Sequence, residues 1–135
     1  MADLLIVDDD VELGDLLADI LREEGHEVRV GRSGREGLAQ LGDRQPDLVL
    51  LDVEMPVLTG PEMAYAVFLH DLGLEKIPIV LVSGVLDLRA VAASVGTPYF
   101  LAKPYDMTRL LWLLSKALVE RLPPHPTLRA DVHPP

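Results

Sequence analysis

Two stretches of the sequence decide the fold: Leu-Leu-Ile-Val-Asp-Asp at residues 4–9 and Leu-Val-Leu-Leu-Asp at residues 48–52. Each is a continuous apolar run that ends in aspartate, which is typical of a strand buried on both faces of a parallel sheet. A carboxylate at the end of such a strand is costly unless it faces a cleft, a cation or a partner. Asp8, Asp9 and Asp52 are therefore candidate site residues, and their oxygen atoms suit Mg²⁺.

Five apolar segments predict strands, and helical patterns lie between them. Five alternations of strand and helix are typical of a flavodoxin-like, doubly wound five-stranded parallel sheet of order 2-1-3-4-5 with five helices. Strands one and three are neighbours in that order, so the three aspartates meet at the carboxyl edge, where such sheets bind ligands. The predicted strands are Leu4–Val7, Glu27–Val30, Leu48–Leu51, Ile79–Val82 and Tyr99–Ala102.

The helices are bounded by capping and breaking residues. The first helix is defined by apolar residues at helical spacing and has Gly25 as its C-terminal cap; those residues are Leu13, Leu16, Leu17, Ile20 and Leu21. The second helix covers Arg35–Leu41 and ends at Gly42, and the third runs from about Pro61 to His70. The fourth runs from Asp87 to Val95, and Asp106 caps the fifth, at residues 107–120.

The fifth helix is apolar all round from Leu110 to Leu114, whereas a surface helix shows one apolar stripe. Some of Leu111, Trp112 and Leu113 should therefore be exposed, which indicates a homodimer or partner surface. The alternative is that a neighbouring loop or the tail covers them.

The composition limits the classes of protein to which this chain can belong. The 135 residues predict one domain at residues 1–122, followed by a Pro-rich tail at 123–135 that we expect to be disordered. We expect no output domain after that tail, and we expect the chain to be either a single-domain unit or a fragment. A net charge of −10 argues against nucleic-acid binding. With no apolar run long enough for a membrane, no basic leader and no cysteine, we expect a cytoplasmic protein.

Two further residues fall at predicted strand ends: Ser83 in Ile-Val-Leu-Val-Ser-Gly (79–84) and Lys103 in Tyr-Phe-Leu-Ala-Lys-Pro (99–104). With these, the sequence closely resembles the receiver domain of two-component response regulators, in its single-domain, chemotaxis-regulator-like form. The matching motifs stand at residues 6–9, 51–56 with Gly60, 82–84 and 103–104, and the resemblance covers about residues 3–120.

The resemblance implies a phosphoryl acceptor, not an enzyme in the usual sense. Asp52 would receive a phosphoryl group from a histidine kinase or phosphotransfer protein and switch binding to an unknown output protein. Mg²⁺, for which Mn²⁺ or Ca²⁺ can substitute, would be bound by Asp9 directly, by Asp8 through water, by Asp52, and by the backbone carbonyl of Glu54. Phosphorylation from small phosphodonors and self-dephosphorylation are also implied.

Three more residues have implied roles around the phosphoryl group. Lys103 would neutralise its oxygens, Ser83 would rotate to hydrogen-bond one of them, and Phe100 would be the switch aromatic, where the family usually has Tyr. A cis peptide bond before Pro104 is usual in the family. Glu54 and Val85 lie beside the site, and the apolar Val85 predicts slow self-dephosphorylation.

The sequence departs from the family pattern at two other places. The stretch from Ser83 to Lys103 is slightly shorter than is usual in the family, and it contains Pro98. We therefore expect the fourth helix, and any output surface it forms, to differ from the family pattern. Thr59 replaces a common aspartate.

Two other functions fit parts of the sequence. A phosphorylation-independent binding module would keep the fold without the chemistry. A haloacid-dehalogenase-type phosphatase also uses an aspartyl nucleophile with Mg²⁺, but Glu12 stands where its motif wants Thr or Val.

Overall fold

The computed structural model describes residues 2–52, 77–84, 92 and 96–123. The predicted third helix, the predicted fourth helix except for Ala92, and most of the tail lie outside these residues. Each predicted strand is confirmed to within one residue at either end, and the predicted fifth helix has the expected bounds. The elements are β1 (Asp3–Val7), α1 (Val11–Glu23), β2 (Glu27–Gly31), α2 (Gly34–Asp43), β3 (Leu48–Asp52), β4 (Ile79–Ser83), β5 (Phe100–Ala102) and α3 (Met107–Glu120).

The five strands form one parallel sheet of order β2-β1-β3-β4-β5, as predicted. Val7 at the end of β1 is in register with Gly31 of β2 and Leu51 of β3. The last pairs of the other ladders are Asp52 with Val82 and Ser83 with Ala102. All five strands therefore end along a common edge, and the loops that follow them converge there.

One face of the sheet packs against α1 and α3. Ile6, Leu50 and Val82 come from three neighbouring strands and share one buried cluster with Leu17 of α1 and Leu110 of α3. Removing a side chain of this size from water contributes about 1.5–3 kcal/mol. This packing fixes the sheet against both helices and so holds the strand ends in place.

Side chains and a glycine cap α1 and α3, and the caps at Gly25 and Asp106 are the predicted ones. The carboxylate of Asp10 accepts from the Leu13 N–H at the start of α1, and Asp106 does the same for Arg109 at the start of α3. Gly25 has a φ of 95°, and its N–H donates to the Arg22 carbonyl, which closes α1 with a left-handed cap.

The end of α2 corrects the sequence prediction. Gly42 does not terminate the helix, which continues to Asp43 before Arg44 turns to extended backbone. The guanidinium of Arg29, from β2, donates to the carbonyl oxygens of Gln40 and Arg44. These bonds satisfy carbonyl groups at the helix end, a tertiary contact that the local sequence does not reveal.

Strand β5 starts at Phe100 and not at Tyr99. The Tyr99 carbonyl still accepts from the Leu81 N–H of β4, but its side chain is buried and its hydroxyl donates to Glu120 of α3.

In the described residues, no helix has the length and hydropathy needed to cross a membrane.

Candidate functional site

Three aspartates meet at the carboxyl edge of the sheet. Asp8 and Asp9 follow β1, and Asp52 is the last residue of the neighbouring strand β3. One carboxylate oxygen from each lies within 4.8 Å of the other two. Asp8 and Asp52 are only 2% and 3% exposed, whereas Asp9 faces solvent. The convergence expected from the strand order is therefore present in the structure.

Lys103 contacts this group of aspartates from the end of β5. It directly follows β5, and its Nζ lies 3.0 Å from Oδ2 of Asp52, close enough for a charge-assisted hydrogen bond. The peptide bond between Lys103 and Pro104 is cis, as the resemblance to receiver domains implies. Among the described residues, Lys103 lies beside two buried carboxylates, those of Asp8 and Asp52.

Asp8 is held in place and is electrostatically strained. Its N–H donates to the Gly31 carbonyl, and its Oδ1 accepts from the Asp10 N–H at 2.9 Å. The pKa of Asp8 is raised to about 6, mainly by burial and also by the charge of Asp52, against the opposing effects of the Asp10 hydrogen bond and Lys103. A carboxyl group in this position favours a cation beside it.

The donor set fits a hard divalent cation. Carboxylate oxygens at the mouth of a largely buried site, with one aspartate open to water, are the ligands that Mg²⁺ takes while it keeps several waters. Asp8, Asp9 and Asp52 could hold such an ion, and its charge would offset the burial and the repulsion from Asp52 that together raise the pKa of Asp8.

The remaining predicted residues are placed only in part. Ser83 ends β4, in register with Ala102 of β5, so its backbone is at the same edge of the sheet. Phe100 begins β5 and is half-buried. Glu54 and Val85 lie outside the described residues, so their roles stay predictions.

The sequence did not predict the pocket that Tyr105 lines. Tyr105 lies two positions after Lys103, and with Leu13, Lys103, Pro104 and Met107 it lines a largely apolar pocket of about 300 Å³. The signal available in the sequence was its spacing from the lysine, because a residue so close to a strand-end lysine stays near the same edge.

Comparison with known proteins agrees with this geometry. Residues 4–115 match the family described as the response regulator receiver domain. The nitrogen assimilation regulatory protein NtrX of Azorhizobium caulinodans is 32% identical over 120 residues, which are 86% of this chain and 26% of that protein. The CpxR homolog of Haemophilus influenzae is 33% identical over 123 residues, 90% of this chain and 52% of its own length. The chain thus spans about a quarter to a half of such relatives.

Solved structures share the fold over nearly the whole chain. A CheY-like receiver domain protein from Methanospirillum hungatei superposes with a TM-score of 0.79 at 28% identity, covering 90% of this chain and 96% of that one. A structure described as a putative response regulator from Chloroflexus aurantiacus gives a TM-score of 0.80 at 32% identity, covering 87% and 98%. The strand order, the acidic group at the carboxyl edge and the family match over residues 4–115 agree: the chain belongs to the response regulator receiver domain family, whose members are signalling domains.

Proposed function

We propose that Asp52 accepts a phosphoryl group from a histidine kinase or phosphotransfer protein in a reaction that requires Mg²⁺. The observation that carries the proposal is the contact between Lys103 and the buried carboxylate of Asp52, beside the carboxylates of Asp8 and Asp9. A nucleophilic carboxylate, a fixed cation and a set of hard oxygen ligands are the components that phosphoryl transfer to aspartate needs.

The chemistry follows from these positions. An oxygen of Asp52 attacks the phosphorus atom of the donor, a new O–P bond forms, and the bond from phosphorus to the donor's leaving atom breaks. Lys103 lies where it can neutralise a phosphoryl oxygen once that group is attached to Asp52. Mg²⁺ bound by Asp8, Asp9 and Asp52, with the Glu54 carbonyl, would spread the remaining negative charge.

The expected partners follow from the family and the charge. We propose a sensor kinase or phosphotransfer protein upstream and an output protein downstream, in the cytoplasm, without direct nucleic-acid contact by this domain at a net charge of −10. The same proposal holds that Glu54 and Val85 set the lifetime of the phosphoryl group. It also holds that Ser83 and Phe100 take part in switching. A phosphorylation-independent binding module is the remaining alternative.

Intact-mass measurement after incubation with Mg²⁺ and acetyl phosphate tests the proposal. We expect the wild-type chain to gain one phosphoryl group, and we expect Asp52→Asn to gain none. Chelation of Mg²⁺ should abolish the gain. Asp9→Asn, which removes one proposed metal ligand and keeps the acceptor, should gain less at a given Mg²⁺ concentration.

No gain by the folded wild-type chain, with acetyl phosphate and with a cognate kinase, would favour the binding module. A gain that persists in Asp52→Asn would contradict the choice of acceptor.

We also infer that two copies of the chain associate through α3. Trp112 is 62% exposed and Val119 is 83% exposed, although Leu113 is buried and Leu111 packs partly on the core. The Nζ of Lys116 lies 5.4 Å from the centre of the Trp112 ring, which adds a positive charge to this apolar face. The exposed surface of α1 carries the opposite charge, on Glu12, Asp19 and Glu23.

A further inference from the structure

A second cavity lies away from the acidic group and is rich in arginine. Its volume is about 400 Å³, and it lies at the start of β2, the strand at the edge of the sheet. Asp3 of β1 is in register with Glu27 at this end, while Asp8 follows the other end, so about 16 Å of strand separates the cavity from the acidic group. The cavity is lined by Arg22, His26, Glu27, Val28, Arg29 and Arg44.

Hydrogen bonds hold the three guanidinium groups in place. Nη2 of Arg22 donates to the Val28 carbonyl at 2.9 Å, and Nε of Arg44 donates to Oδ2 of Asp3 at 2.6 Å. The Arg29 side chain is 17% exposed and bonds two carbonyl oxygens at the end of α2, so it supplies a fixed positive charge. The side chains of Arg22 and Arg44 are 52% and 55% exposed, and a guanidinium has five N–H donors, so these two can also bond a ligand.

Two carboxylates beside these arginines are weakly held. Oδ1 of Asp19 lies 3.5 Å from Nη1 of Arg22, and Oε2 of Glu27 lies 3.6 Å from Nη2 of Arg44. Both pairs are open to solvent, and exposed ion pairs of this kind contribute little to stability. A doubly charged phosphate group forms shorter, bidentate bonds with guanidinium groups, so it can take the place of both carboxylates.

We propose that this cavity binds a small phosphate ester that also carries hydroxyl groups. Arg22 and Arg44 contact adjacent residues of the edge strand, Val28 and Glu27, and both line the same cavity, so their remaining N–H groups can converge on one phosphate group. The cavity is separate from Asp52, and the inference does not depend on the proposed function.

The remaining lining residues fit the rest of such a ligand. Burial lowers the pKa of His26, and its Nδ1 accepts from the Ala2 N–H at 3.1 Å, so the neutral ring carries its proton on Nε2 and can donate there. The carboxylate of Glu27, once released by Arg44, can accept from a hydroxyl group. Arg22 already occupies a backbone acceptor of the edge strand, which favours a compact ligand over an added peptide strand.

Amide chemical-shift titration of the full chain, with EDTA present, tests the inference. The probes are ribose 5-phosphate, which has both features of the proposed ligand, inorganic phosphate, and ribose. Shifts at residues 26–29 report binding in the cavity, and shifts at residues 101–103 report phosphate beside Lys103. The variants are Arg22→Gln and Arg44→Gln, and the matched control is Arg35→Gln, which removes an exposed arginine of α2 outside the cavity. Urea unfolding without ligand checks that each variant is folded.

We expect ribose 5-phosphate to bind most tightly, inorganic phosphate to bind more weakly, and ribose to leave the shifts unchanged. Arg22→Gln and Arg44→Gln should each weaken the binding of ribose 5-phosphate by about tenfold, because charge-assisted hydrogen bonds are lost. Arg35→Gln should bind it as tightly as the wild type does. Glu27→Gln should bind inorganic phosphate more tightly than the wild type, because a like charge is removed.

Three results would overturn the inference. The first is that neither phosphate probe shifts residues 26–29. The second is that Arg35→Gln weakens binding as much as the two cavity variants do, which would indicate attraction to any exposed arginine. The third is that ribose 5-phosphate binds no more tightly than inorganic phosphate, which would remove the role of the hydroxyl groups. Phosphorylation of Asp52 is measured separately by mass, so a failure of this site is distinguishable from a failure of the proposed function.

Discussion

Asp8 contributes to the pH dependence of stability in the metal-free domain. Burial raises its pKa from the ordinary 3.8 to about 6, so the folded chain holds this proton more tightly than the unfolded chain does. The stabilisation from protonated Asp8 is complete below about pH 4 and is lost as the pH rises through about 6. The free energy of unfolding should therefore fall over this interval by on the order of 3 kcal/mol from this group.

Asp8→Asn removes the titration and should raise the stability of the metal-free protein at pH 7, measured by urea unfolding at a series of pH values. Asp9→Asn is the matched control, because Asp9 is exposed and its loss should change the metal-free curve little. Added Mg²⁺ at pH 7 should stabilise the wild type and not Asp8→Asn. A wild-type curve that coincides with that of Asp8→Asn across this interval would contradict the prediction.

At the scale of single residues, sequence reasoning finds the groups that stand at strand ends. Asp8, Asp52 and Lys103 follow from the alternation of strands and helices, because parallel strands bring their carboxyl ends to one edge. The hydroxyl of Tyr105 does not follow from it, since its burial depends on how the chain turns between β5 and α3. Arg29 is a similar case, because its bonds to the end of α2 require the packing of β2 against that helix.

The contact between β2 and α2 depends on glycine at the end of the strand. A Cβ atom at Gly31 would lie 2.9 Å from the backbone nitrogen of Gly37 and 3.0 Å from its Cα. These are backbone atoms, so the strand and helix would have to move apart. We expect Gly31→Ala to destabilise the protein by about 1–3 kcal/mol.

Gly42→Ala is the control for that change. Gly42 lies within α2, and a Cβ there meets nothing within 4 Å. Because alanine favours the helix, this variant should be more stable by about 0.5–1 kcal/mol. Chemical denaturation of both variants measures the difference, and equal effects on stability would show that the close approach at Gly31 is relieved without cost.

At the scale of elements, strands were predicted better than helix ends. The apolar runs and the register of the sheet follow from burial on both faces, which leaves a clear mark in the sequence. The predicted end of α2 at Gly42 was wrong, because glycine favours a helix end only where the chain must adopt a left-handed turn. Gly25 has the required positive φ, while α2 instead ends in extended backbone at Arg44.

At the scale of the whole molecule, charge is distributed unequally over an acidic chain. On α1, an exposed row of residues along the helix has acidic side chains on both sides of one apolar residue. On α3, an exposed row has one basic side chain on each side of Trp112. Residues three or four positions apart share a helix face. The α1 stripe is Glu12, Leu16, Asp19 and Glu23; the α3 stripe is Arg109, Trp112, Lys116 and Val119.

The two stripes are complementary in charge and similar in length, so α1 of one copy can lie against α3 of another. Each copy carries both stripes, which permits two equivalent contacts in a symmetric dimer. Sedimentation analysis should show a dimer that weakens as salt is added, because exposed charges are screened. Lys116→Glu should weaken the dimer by placing like charges together, and Asp19→Lys should do the same.

The double variant Asp19→Lys with Lys116→Glu decides whether these two stripes meet. It reverses both charges and keeps the net charge of the wild type, so dimerisation should return if Asp19 faces Lys116 of the other copy. Arg35→Glu, an equal change of charge on the exposed surface of α2, should leave the dimer intact. A monomeric wild type at high protein concentration and low salt would rule out the second copy as the partner of α3. A dimer that the double variant fails to restore would place the contact elsewhere on the surface.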